Sequence, residues 1–436
     1  MPIRYVIVGV GVAGIAAAEA IRGADTAGEI VLISDDLNGY YSRPGLAYYL
    51  TGEIPRSHLF PLREPEFKHL GLQRIRGQAI QLVPAEHRMI LADGVVVAYD
   101  RLLLATGAEA VRPNIPGIDL PQVLKLDHLE DADKLLALAR KARAAVVVGG
   151  GITALEIVEG LREHCHRVHY LLRGDRYWSN VLAEAESRIV TDRLAAEDVH
   201  IHYRTELAAV EAVRGRVAGV LTTAGQRIAC DLVAVAVGVS PRVDLARAAG
   251  LQVDRGVLVD EYLRTSATDI YAAGDAAQVY DPRAGKALLD TLWNVARGQG
   301  TVAGQNMAGG SVRYVKPVPL NVTHLAGLTT TIIGSVGHGI DADLVGIARG
   351  DSEAWRQLGD ALAAEYEFDV NHLRLLVGKT TLVGAVVMGD QRLSRPLQHL
   401  IGEQIDITPI RDRLLAPNAP LASILVEYAQ AIELAA

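Results

Sequence analysis

The stretch "RYVIVGVGVAGIAAAEAIR", residues 4–22, decides the fold of this chain. It begins with a short run of β-branched residues, passes through three regularly spaced glycines, and continues into an alanine-rich segment. Such a run predicts a buried strand, and alanine favours a helix. A strand, a turn of the form Gly9-x-Gly11-x-x-Gly14 and a helix in this order make up the dinucleotide-binding fingerprint.

A second stretch, "AAVVVGGGITALEIVEGLR" at residues 144–162, repeats the same pattern with Gly149-x-Gly151-x-x-Ala154. The first glycine of a fingerprint permits a tight turn, and the second lets the backbone approach a pyrophosphate. The third small residue lets the helix pack on the strand. The phosphates then rest on a helix N-terminus, which favours negative charge. One fingerprint alone can be a glycine turn without a ligand, but two in register predict two nucleotide-binding folds.

Size and composition indicate a folded α/β protein. A length of 436 residues suggests two or three domains, and 42 glycines suit many tight turns between strands and helices. The net charge of −8 and the lack of a basic run disfavour nucleic acid as a partner. Apolar stretches such as residues 230–239 are well short of the roughly 18 residues that a spanning helix needs, so we expect no membrane span.

The cysteine and histidine content predicts neither a redox pair nor a metal site. Cys165 and Cys230 form no C-x-x-C pattern, and such scarcity fits a reducing compartment. Because the N-terminal glycines have the spacing of a fingerprint rather than of a signal peptide, we predict a cytoplasmic protein. The histidines of "HCHRVH", residues 164–169, fall at a helix end and on the following strand, so they should diverge.

Two further segments repeat each other and predict crossings between domains. Residues 99–117 are a buried strand ending in Ala-Thr-Gly, and residues 230–244 are a strand ending in Ala-Val-Gly; a proline-bearing segment follows each. Residues 265–277 then form a strand ending in Gly274-Asp275. Taken alone, Asp275 is equally well explained as a helix cap.

The pattern changes from about residue 312 onward. Strand-like segments at 324–337 and 373–390 are separated by a polar, helical segment at 352–369, and the chain closes with a helical segment at 420–436. We predict a separate α+β domain. The apolar stripe of the last helix indicates either packing or an oligomer contact, as in a homodimer, and the lack of basic residues opposite makes a membrane role unfavourable.

Both fingerprints, together with "LLLATGA" (102–108), "AVAVG" (234–238) and "TDIYAAGDAA" (268–277), resemble the two-dinucleotide-binding-domain flavoproteins, the pyridine nucleotide oxidoreductases. The match spans about residues 3–308. This resemblance implies an α/β fold with two Rossmann-like domains, one for FAD and one for NAD(P), plus the C-terminal α+β domain. The implied limits are 1–113 and 238–311 for the two parts of the FAD domain, 114–237 for the NAD(P) domain and 312–436 for the last domain.

Within that family, "YYSRPGLAYYLTGEIP" at residues 40–55 is similar to a segment of rubredoxin reductases, ferredoxin reductases and the flavin part of NADH-dependent nitrite reductases. The disulfide reductases of the family carry a redox-active cysteine pair in this region, whereas this chain has none. The resemblance therefore implies an FAD-dependent NAD(P)H oxidoreductase whose flavin passes electrons directly to an external acceptor. A one-electron carrier of the rubredoxin or ferredoxin type is expected, with oxygen or a small oxidant as the other acceptors.

The resemblance also places cofactor contacts on particular residues. An acid at the end of the second strand, Asp35 with Asp36 as the alternative, should accept hydrogen bonds from the adenosine ribose. Arg43 and Asp275 should meet a flavin phosphate or the ribityl chain, and a helix beginning near Trp293 should present its positive end to the flavin N1/O2 edge. The full set of expected cofactor-binding residues is Gly9, Gly11, Gly14, Asp35, Asp36, Arg43, Thr106, Gly107, Gly149, Gly151, Ala154, Arg173, Arg176, Gly238, Gly274, Asp275 and Trp293.

Two residues are expected at the reacting centre. The related ferredoxin reductases often carry a lysine five residues after the arginine of the Y-x-R-P segment, and this lysine pairs with a glutamate near the flavin. Here Tyr48 replaces the lysine and Glu156 retains the glutamate, so the same ion pair should not form. Glu156 should then lie near the nicotinamide carboxamide with a raised pKa, or be an ordinary helix carboxylate.

The choice of nucleotide depends on the end of the strand in "RVHYLLRGDRYW", residues 167–178. NAD-specific members of the family place a glutamate there, whereas a 2′-phosphate needs arginines. Leu172 stands at the acidic position and Arg173 and Arg176 follow, which favours NADPH. Asp175 offers a ribose contact that leaves NADH open. Other functional hypotheses are an NAD(P)H oxidase that reduces oxygen and a nucleotide-sensing flavoprotein resembling apoptosis-inducing factor.

Overall fold

The computed structural model describes residues 2–282, 285–336, 372–416 and 419–435. The predicted helical segment at 352–369 lies outside the described residues.

Strands and helices alternate around the two fingerprints, whereas the strands between residues 72 and 124 follow one another without an intervening α-helix. The strands are β1 (Arg4–Val8), β2 (Glu29–Ser34), β3 (Leu72–Arg76), β4 (Ala79–Val83), β5 (Arg88–Leu91), β6 (Val96–Ala98), β7 (Arg101–Leu104), β8 (Ala108–Ala110), β9 (Val123–Leu124), β10 (Ala144–Val148), β11 (Arg167–Leu171), β12 (Val199–His202), β13 (Leu207–Val213), β14 (Arg216–Thr222), β15 (Arg227–Ile228), β16 (Leu232–Val235), β17 (Val239–Pro241), β18 (Val257–Val259), β19 (Ile270–Ala272), β20 (Ala277–Asp281), β21 (Lys286–Leu289), β22 (Leu320–Leu325), β23 (Leu328–Gly334), β24 (His372–Val377) and β25 (Leu382–Met388). The α-helices are α1 (Val12–Ala24), α2 (Gly45–Leu50), α3 (Glu64–His69), α4 (Leu129–Ala139), α5 (Ile152–Arg162), α6 (Glu184–Ala196), α7 (Asp244–Ala248), α8 (Trp293–Met307), α9 (Ser394–Gly402), α10 (Thr408–Leu415) and α11 (Leu421–Ala435), and short 3₁₀ turns lie at Arg56–Leu59, Pro84–Glu86 and Gly274–Ala276.

The first parallel sheet has the order β19-β7-β1-β2-β3, so a strand from residues 270–272 completes a sheet begun at residue 4. The first fingerprint joins β1 to α1. Gly9 has φ of +112°, and a Cβ there would lie 2.1 Å from the carbonyl oxygen of Ala105. A Cβ on Gly14 would lie 2.2 Å from the carbonyl oxygen of Gly9, so only glycine permits this approach of helix and turn.

The second parallel sheet has the order β12-β11-β10-β16-β9 and carries the second fingerprint between β10 and α5. A Cβ on Gly149 would lie 2.1 Å from the carbonyl oxygen of Ala236, which repeats the relation between Gly9 and Ala105. An antiparallel sheet of β13, β14 and β15 covers one face and buries an apolar cluster against β10 and β16. The predicted α/β fold class with two Rossmann-like units is confirmed.

The two crossing segments lie side by side. Strand β8 pairs antiparallel with β17, with Ala110 opposite Val239. The predicted limits at residues 113/114 and 237/238 fall close to these strands, and the division of the chain into domains at those limits stays a prediction.

The C-terminal part is built on the antiparallel sheet β22-β23-β25-β24. Helix α9 packs on β23 and β25 of this sheet, and α11 packs against α9 and α10, burying Ile424 and Leu425 in a cluster with residues of α9 such as Leu397 and Leu400. The buried part of the apolar stripe of α11 is therefore used in packing. None of the described helices is long and apolar enough to cross a membrane.

The tip of the β22–β23 hairpin joins this part to the second dinucleotide-binding unit. The backbone N–H of Gly327 donates to Glu159 Oε1 at 3.0 Å, and Arg193 Nε donates to the carbonyl of Ala326 at 2.7 Å. Because Glu159 and Arg193 lie on α5 and α6, the hairpin bridges the two helices.

Candidate functional site

A cleft of about 870 Å³ opens where the strands of the first sheet end and the crossing segments begin. The carboxyl ends of parallel strands are the usual place for a ligand in such sheets. Several residues predicted from the sequence line this cleft together: Gly9, Gly11, Asp35, Asp36, Arg43, Thr106, Gly107, Gly274 and Asp275.

The glycine turn fits a phosphate group. A Cβ on Gly11 would meet nothing within 4 Å, so this residue leaves open space at the N-terminus of α1. Gly14 is absent from the residues that line the cleft and instead allows α1 to approach the turn closely. Open backbone at a helix N-terminus is the arrangement that accepts a pyrophosphate.

A buried hydroxyl also fits a cofactor. The side chain of Thr291 lines the cleft, is 6% exposed, and its Oγ1 has no hydrogen-bond partner among the described residues. A buried hydroxyl without a partner costs free energy, so a polar ligand atom in the cleft would relieve that cost. Sequence reasoning missed Thr291, because a threonine after a short strand carries no motif.

The two candidate ribose acids differ in their surroundings. Asp35 is exposed at the rim of the cleft, whereas the side chain of Asp36 is largely enclosed. Asp36 Oδ2 lies 3.4 Å from His128 Nδ1, and its Oδ1 accepts from the Asn38 N–H at 2.9 Å. Burial alone would raise the pKa of Asp36, but these two hydrogen bonds, together with the charges of Arg43 and His128, outweigh burial and hold it below its usual value.

Arg43 lies in the cleft with an acidic neighbour behind it. Its Nη1 donates to the carbonyl oxygen of Asp127 at 3.0 Å and lies 3.5 Å from Asp127 Oδ1. Burial lowers the pKa of Arg43, but nearby acidic groups, among them Asp127, Asp36 and Asp275, raise it above its usual value. The charge of Asp275 therefore acts on Arg43 within the same cleft.

Helix α8 begins at Trp293, as the sequence predicts, and Ala296 of its first turn lines the cleft. Gln299 of the same helix accepts from the Gly274 N–H at 2.8 Å, and Gly274 has φ of +75°. This hydrogen bond holds the Gly274-Asp275 turn against α8. Trp293 itself does not line the cleft, and its ring lies beneath the guanidinium of Arg297 at 5.8 Å.

Tyr48 and Glu156 are both buried and lie outside the lining of this cleft. The Tyr48 ring meets the His324 ring edge-on at 5.7 Å between centroids. On the same helix as Glu156, Glu159 has its pKa raised to about 8 by burial, with added repulsion from Glu156 and Glu53. Sequence reasoning missed Glu159, and the raised pKa and reacting role of Glu156 stay predictions.

The second fingerprint is also open toward a ligand, since a Cβ on Gly151 would meet nothing within 4 Å. Ala154 is buried in the packing of α5. At the strand end Leu172 is buried and Arg173 is exposed. Arg176 donates to Asp175 Oδ1 at 3.3 Å and to the carbonyl of Ser179 at 3.2 Å, so its guanidinium is engaged locally.

Gly238 lies between β16 and the crossing strand β17 with φ of +122°, and a Cβ there would meet nothing within 4 Å. It does not belong to the residues that line the described cleft.

The two cysteines are free and buried. Burial raises the pKa of the Cys165 thiol to about 11 and that of the Cys230 thiol to about 12, so neither is a ready thiolate. Ring nitrogens of His169 and His202 lie 3.0 Å apart, but within the described ranges no group of three or more His, Cys, Asp or Glu side chains could hold a metal ion.

Residues 3–300 match the family described as pyridine nucleotide-disulphide oxidoreductase. The chain belongs to this family. It is 32% identical to the rhodocoxin reductase of Rhodococcus erythropolis over 350 residues, which cover 77% of this chain and 82% of that protein. It is also 32% identical to a rubredoxin-NAD(+) reductase of Pseudomonas putida, over 76% of this chain and 86% of that protein.

Solved structures agree with this assignment. The ferredoxin reductase for the CYP199A2 system from Rhodopseudomonas palustris superposes with a TM-score of 0.81 at 26% identity, covering 98% of this chain and 99% of that chain. A covalent putidaredoxin reductase–putidaredoxin complex has a TM-score of 0.81 at 22% identity, covers 98% of this chain and 99% of that chain, and shows the shared fold alone. The family resemblance is thus confirmed, and the chain is an oxidoreductase that uses FAD and a nicotinamide nucleotide.

Proposed function

We propose that this enzyme takes hydride from NAD(P)H onto FAD and passes electrons directly from the flavin to a small one-electron carrier of the rubredoxin or ferredoxin type. The observation that carries this proposal is the lack of a thiol relay: residues 40–55 contain no cysteine, and the two cysteines of the chain are buried with raised pKa values. Relatives named as rubredoxin-NAD(+) reductase and as a ferredoxin--NAD(+) reductase component support the same acceptor class.

In this proposal the residues of the cleft bind and orient the cofactor. Gly9 and Gly11 receive the pyrophosphate, and the ionised carboxylate of Asp36, or of Asp35 at the rim, accepts the ribose hydroxyls. Asp275 and Thr291 contact the flavin portion. When bound, FAD supplies a group that accepts two electrons together and can release them singly.

We expect reductive titration of the purified protein with NADH or NADPH, without oxygen, to consume two electrons per FAD. A thiol relay would take up two further electrons. We expect no such relay, because burial keeps both thiols protonated. The double substitution Cys165→Ala, Cys230→Ala should leave this stoichiometry and the rate of reduction of a rubredoxin or ferredoxin unchanged.

Uptake of four electrons by the wild-type protein would contradict this prediction. So would a double variant that accepts hydride but no longer reduces the carrier. Rapid consumption of oxygen together with no reduction of any carrier would favour the oxidase hypothesis instead.

We also propose that NADPH is used at least as well as NADH. Arg173 is exposed at the strand end, free to meet a 2′-phosphate, while Arg176 is engaged by Asp175 and Ser179. Arg173→Ala should therefore cost about 1.5–3 kcal/mol in kcat/KM for NADPH and little for NADH. Arg167→Ala is the matched control, because it removes the same charge at the other end of β11. It should change kcat/KM for neither NADPH nor NADH. A strong preference of the wild-type protein for NADH, as the names of the relatives suggest, would contradict the proposal.

Three broader predictions accompany this function. We propose the domain limits 1–113, 114–237, 238–311 and 312–436, a cytoplasmic location, and packing or an oligomer contact, as in a homodimer, for the apolar stripe of the last helix. The paired crossing strands β8 and β17 support the domain limits, and the scarcity of cysteine supports the cytoplasmic location.

A further inference from the structure

A buried carboxylate behind the cleft is surrounded by cations. Asp127 is 4% exposed and lies between β9 and α4. Its Oδ2 accepts from Lys125 Nζ at 3.1 Å and from Arg242 Nη2 at 3.2 Å, and its Oδ1 lies 3.5 Å from Arg43 Nη1. Together these positive charges outweigh the single negative charge of Asp127, whose pKa burial would raise but the cations lower.

The neighbouring carboxylates act mainly on Arg43. His128 lies 3.3 Å from Arg242 Nη2 through its Nε2 and 3.4 Å from Asp36 Oδ2 through its Nδ1, and the charges of Asp36 and Asp275 act on Arg43. Glu109 Oε2 is 3.9 Å from Arg242 Nε and is more than half exposed, so water screens it. Lys125 and Asp127 do not line the cleft, whereas Arg43 and Arg242 do.

Arg242 is held on the segment that touches the phosphate turn. Its backbone N–H donates to the carbonyl of Gly107 at 2.9 Å, and Thr106 Oγ1 donates to its carbonyl at 2.8 Å. Its Nη1 also reaches the carbonyl of Thr106 at 3.4 Å. Residue 106 directly follows Ala105, whose carbonyl oxygen would be 2.1 Å from a Cβ on Gly9. The guanidinium therefore lies at the carbonyl of Thr106, a residue whose backbone nitrogen would lie 3.4 Å from a Cβ on Gly9, and both Arg242 and Gly9 line the same cleft.

We propose that Arg242 binds the FAD pyrophosphate together with Arg43, and that Asp127 is a positioning residue that holds both guanidinium groups toward the cleft. The planar fork of arginine suits phosphate oxygens, and a buried carboxylate that two arginines share keeps both forks ordered before the cofactor binds. Arg43 comes from the first dinucleotide-binding unit, Asp127 from the second, and Arg242 from the crossing segment between them. FAD binding should therefore also stabilise the contact between these parts. This inference rests on the proposed FAD-dependent function.

The test measures the dissociation constant of FAD for apo-protein by flavin fluorescence at several salt concentrations. Arg242→Gln should weaken FAD binding about 10- to 150-fold, the range for a charge-assisted hydrogen bond, and should flatten the salt dependence. Arg112→Gln is the control, because it removes the same charge from an exposed pair with Asp119. It should change neither the affinity for FAD nor the salt dependence of binding. If Arg242→Gln does not fold, Arg242→Lys, which keeps the charge without the fork, should weaken binding about fivefold or more.

The substitution Asp127→Asn distinguishes a positioning role of Asp127 from a purely electrostatic effect of its carboxylate on FAD binding. Because Asp127 positions two arginines, its effect is lost only when both are gone. Asp127→Asn should therefore weaken FAD binding on its own, weaken it less in the Arg242→Gln background, and change it less than twofold when Arg43→Gln is added to that background. Tighter binding by Asp127→Asn, or equal losses in all three backgrounds, would overturn the positioning role, and unchanged binding by Arg242→Gln would overturn the contact. Wild-type apo-protein that binds no FAD would instead refute the cofactor assignment itself.

Discussion

Glu186→Ala is expected to lower the free energy of unfolding by about 3–5 kcal/mol, the scale for breaking a buried ion pair. Glu186 lies on α6 and is fully buried. It accepts from Arg374 Nε at 2.6 Å and from His372 at 3.2 Å, both on β24. Arg374 is 18% exposed, so removing the carboxylate leaves a largely enclosed guanidinium without its counter-charge. The second dinucleotide-binding unit and the C-terminal sheet would then separate more easily.

Urea unfolding followed by circular dichroism measures this loss. Glu184→Ala is the matched control, because Glu184 lies on the same helix and pairs with Arg188 at 2.7 Å in an exposed i,i+4 pair. Such pairs contribute about 0.3–0.5 kcal/mol. Equal effects of the two substitutions would show that the contact between α6 and β24 carries no special stability.

Glu186 should also make the free energy of unfolding depend on pH. Burial would raise the pKa of Glu186, but hydrogen bonds from His372, Arg374 and the Ala183 N–H outweigh burial and lower it below 4.5. A folded-state pKa that is depressed contributes stability above the unfolded pKa, and this stability is lost as the pH falls through the folded value. The difference between wild type and Glu186→Gln should therefore be constant above about pH 5.5 and shrink below about pH 4.5.

The sequence suffices for those parts of the fold that depend on local pattern. Each fingerprint specifies a strand, a turn and a helix within about 20 residues. Gly9 and Gly149 occupy positive-φ positions where a Cβ would clash with a backbone carbonyl oxygen of the neighbouring crossing segment. The placement of Arg43, Thr106 and Asp275 around one cleft follows from the family resemblance, since these residues come from distant segments.

Residues whose roles depend on tertiary contacts could not be found in the same way. Asp127 and Arg242 are 115 positions apart. Asp127 lies in no recognisable motif, and the pattern of the crossing segment 230–244 assigns no role to Arg242. The raised pKa of Glu159 depends on burial near the β22–β23 hairpin, whereas motif reasoning selects Glu156 three positions earlier. The pairing of Glu186 with Arg374 likewise arises only when α6 meets the C-terminal sheet.

A further contact that local pattern does not reveal is the close crossing of α1 and α8, whose first turns both reach the cofactor cleft. A Cβ on Gly300 would lie 2.2 Å from the carbonyl oxygen of Ala13, and one on Gly304 would lie 2.4 Å from that of Ala17. The obstacle in each case is helix backbone rather than a flexible side chain. The two helices therefore touch backbone to backbone, and this requires glycine on α8.

Gly300→Ala is expected to lower the free energy of unfolding by at least about 2 kcal/mol, because the added methyl group forces the helices apart. FAD affinity should fall as well, since the shift moves the N-terminus of α8 away from the cleft. Gly298→Ala, two residues earlier on the same helix, is the matched control: its Cβ would meet only the Tyr314 ring at 3.8 Å. That variant should be neutral or more stable by up to about 1 kcal/mol, because alanine is the better helix former. Urea unfolding and flavin fluorescence measure the two effects, and a Gly300→Ala variant as stable as Gly298→Ala would show that α1 and α8 tolerate a wider spacing.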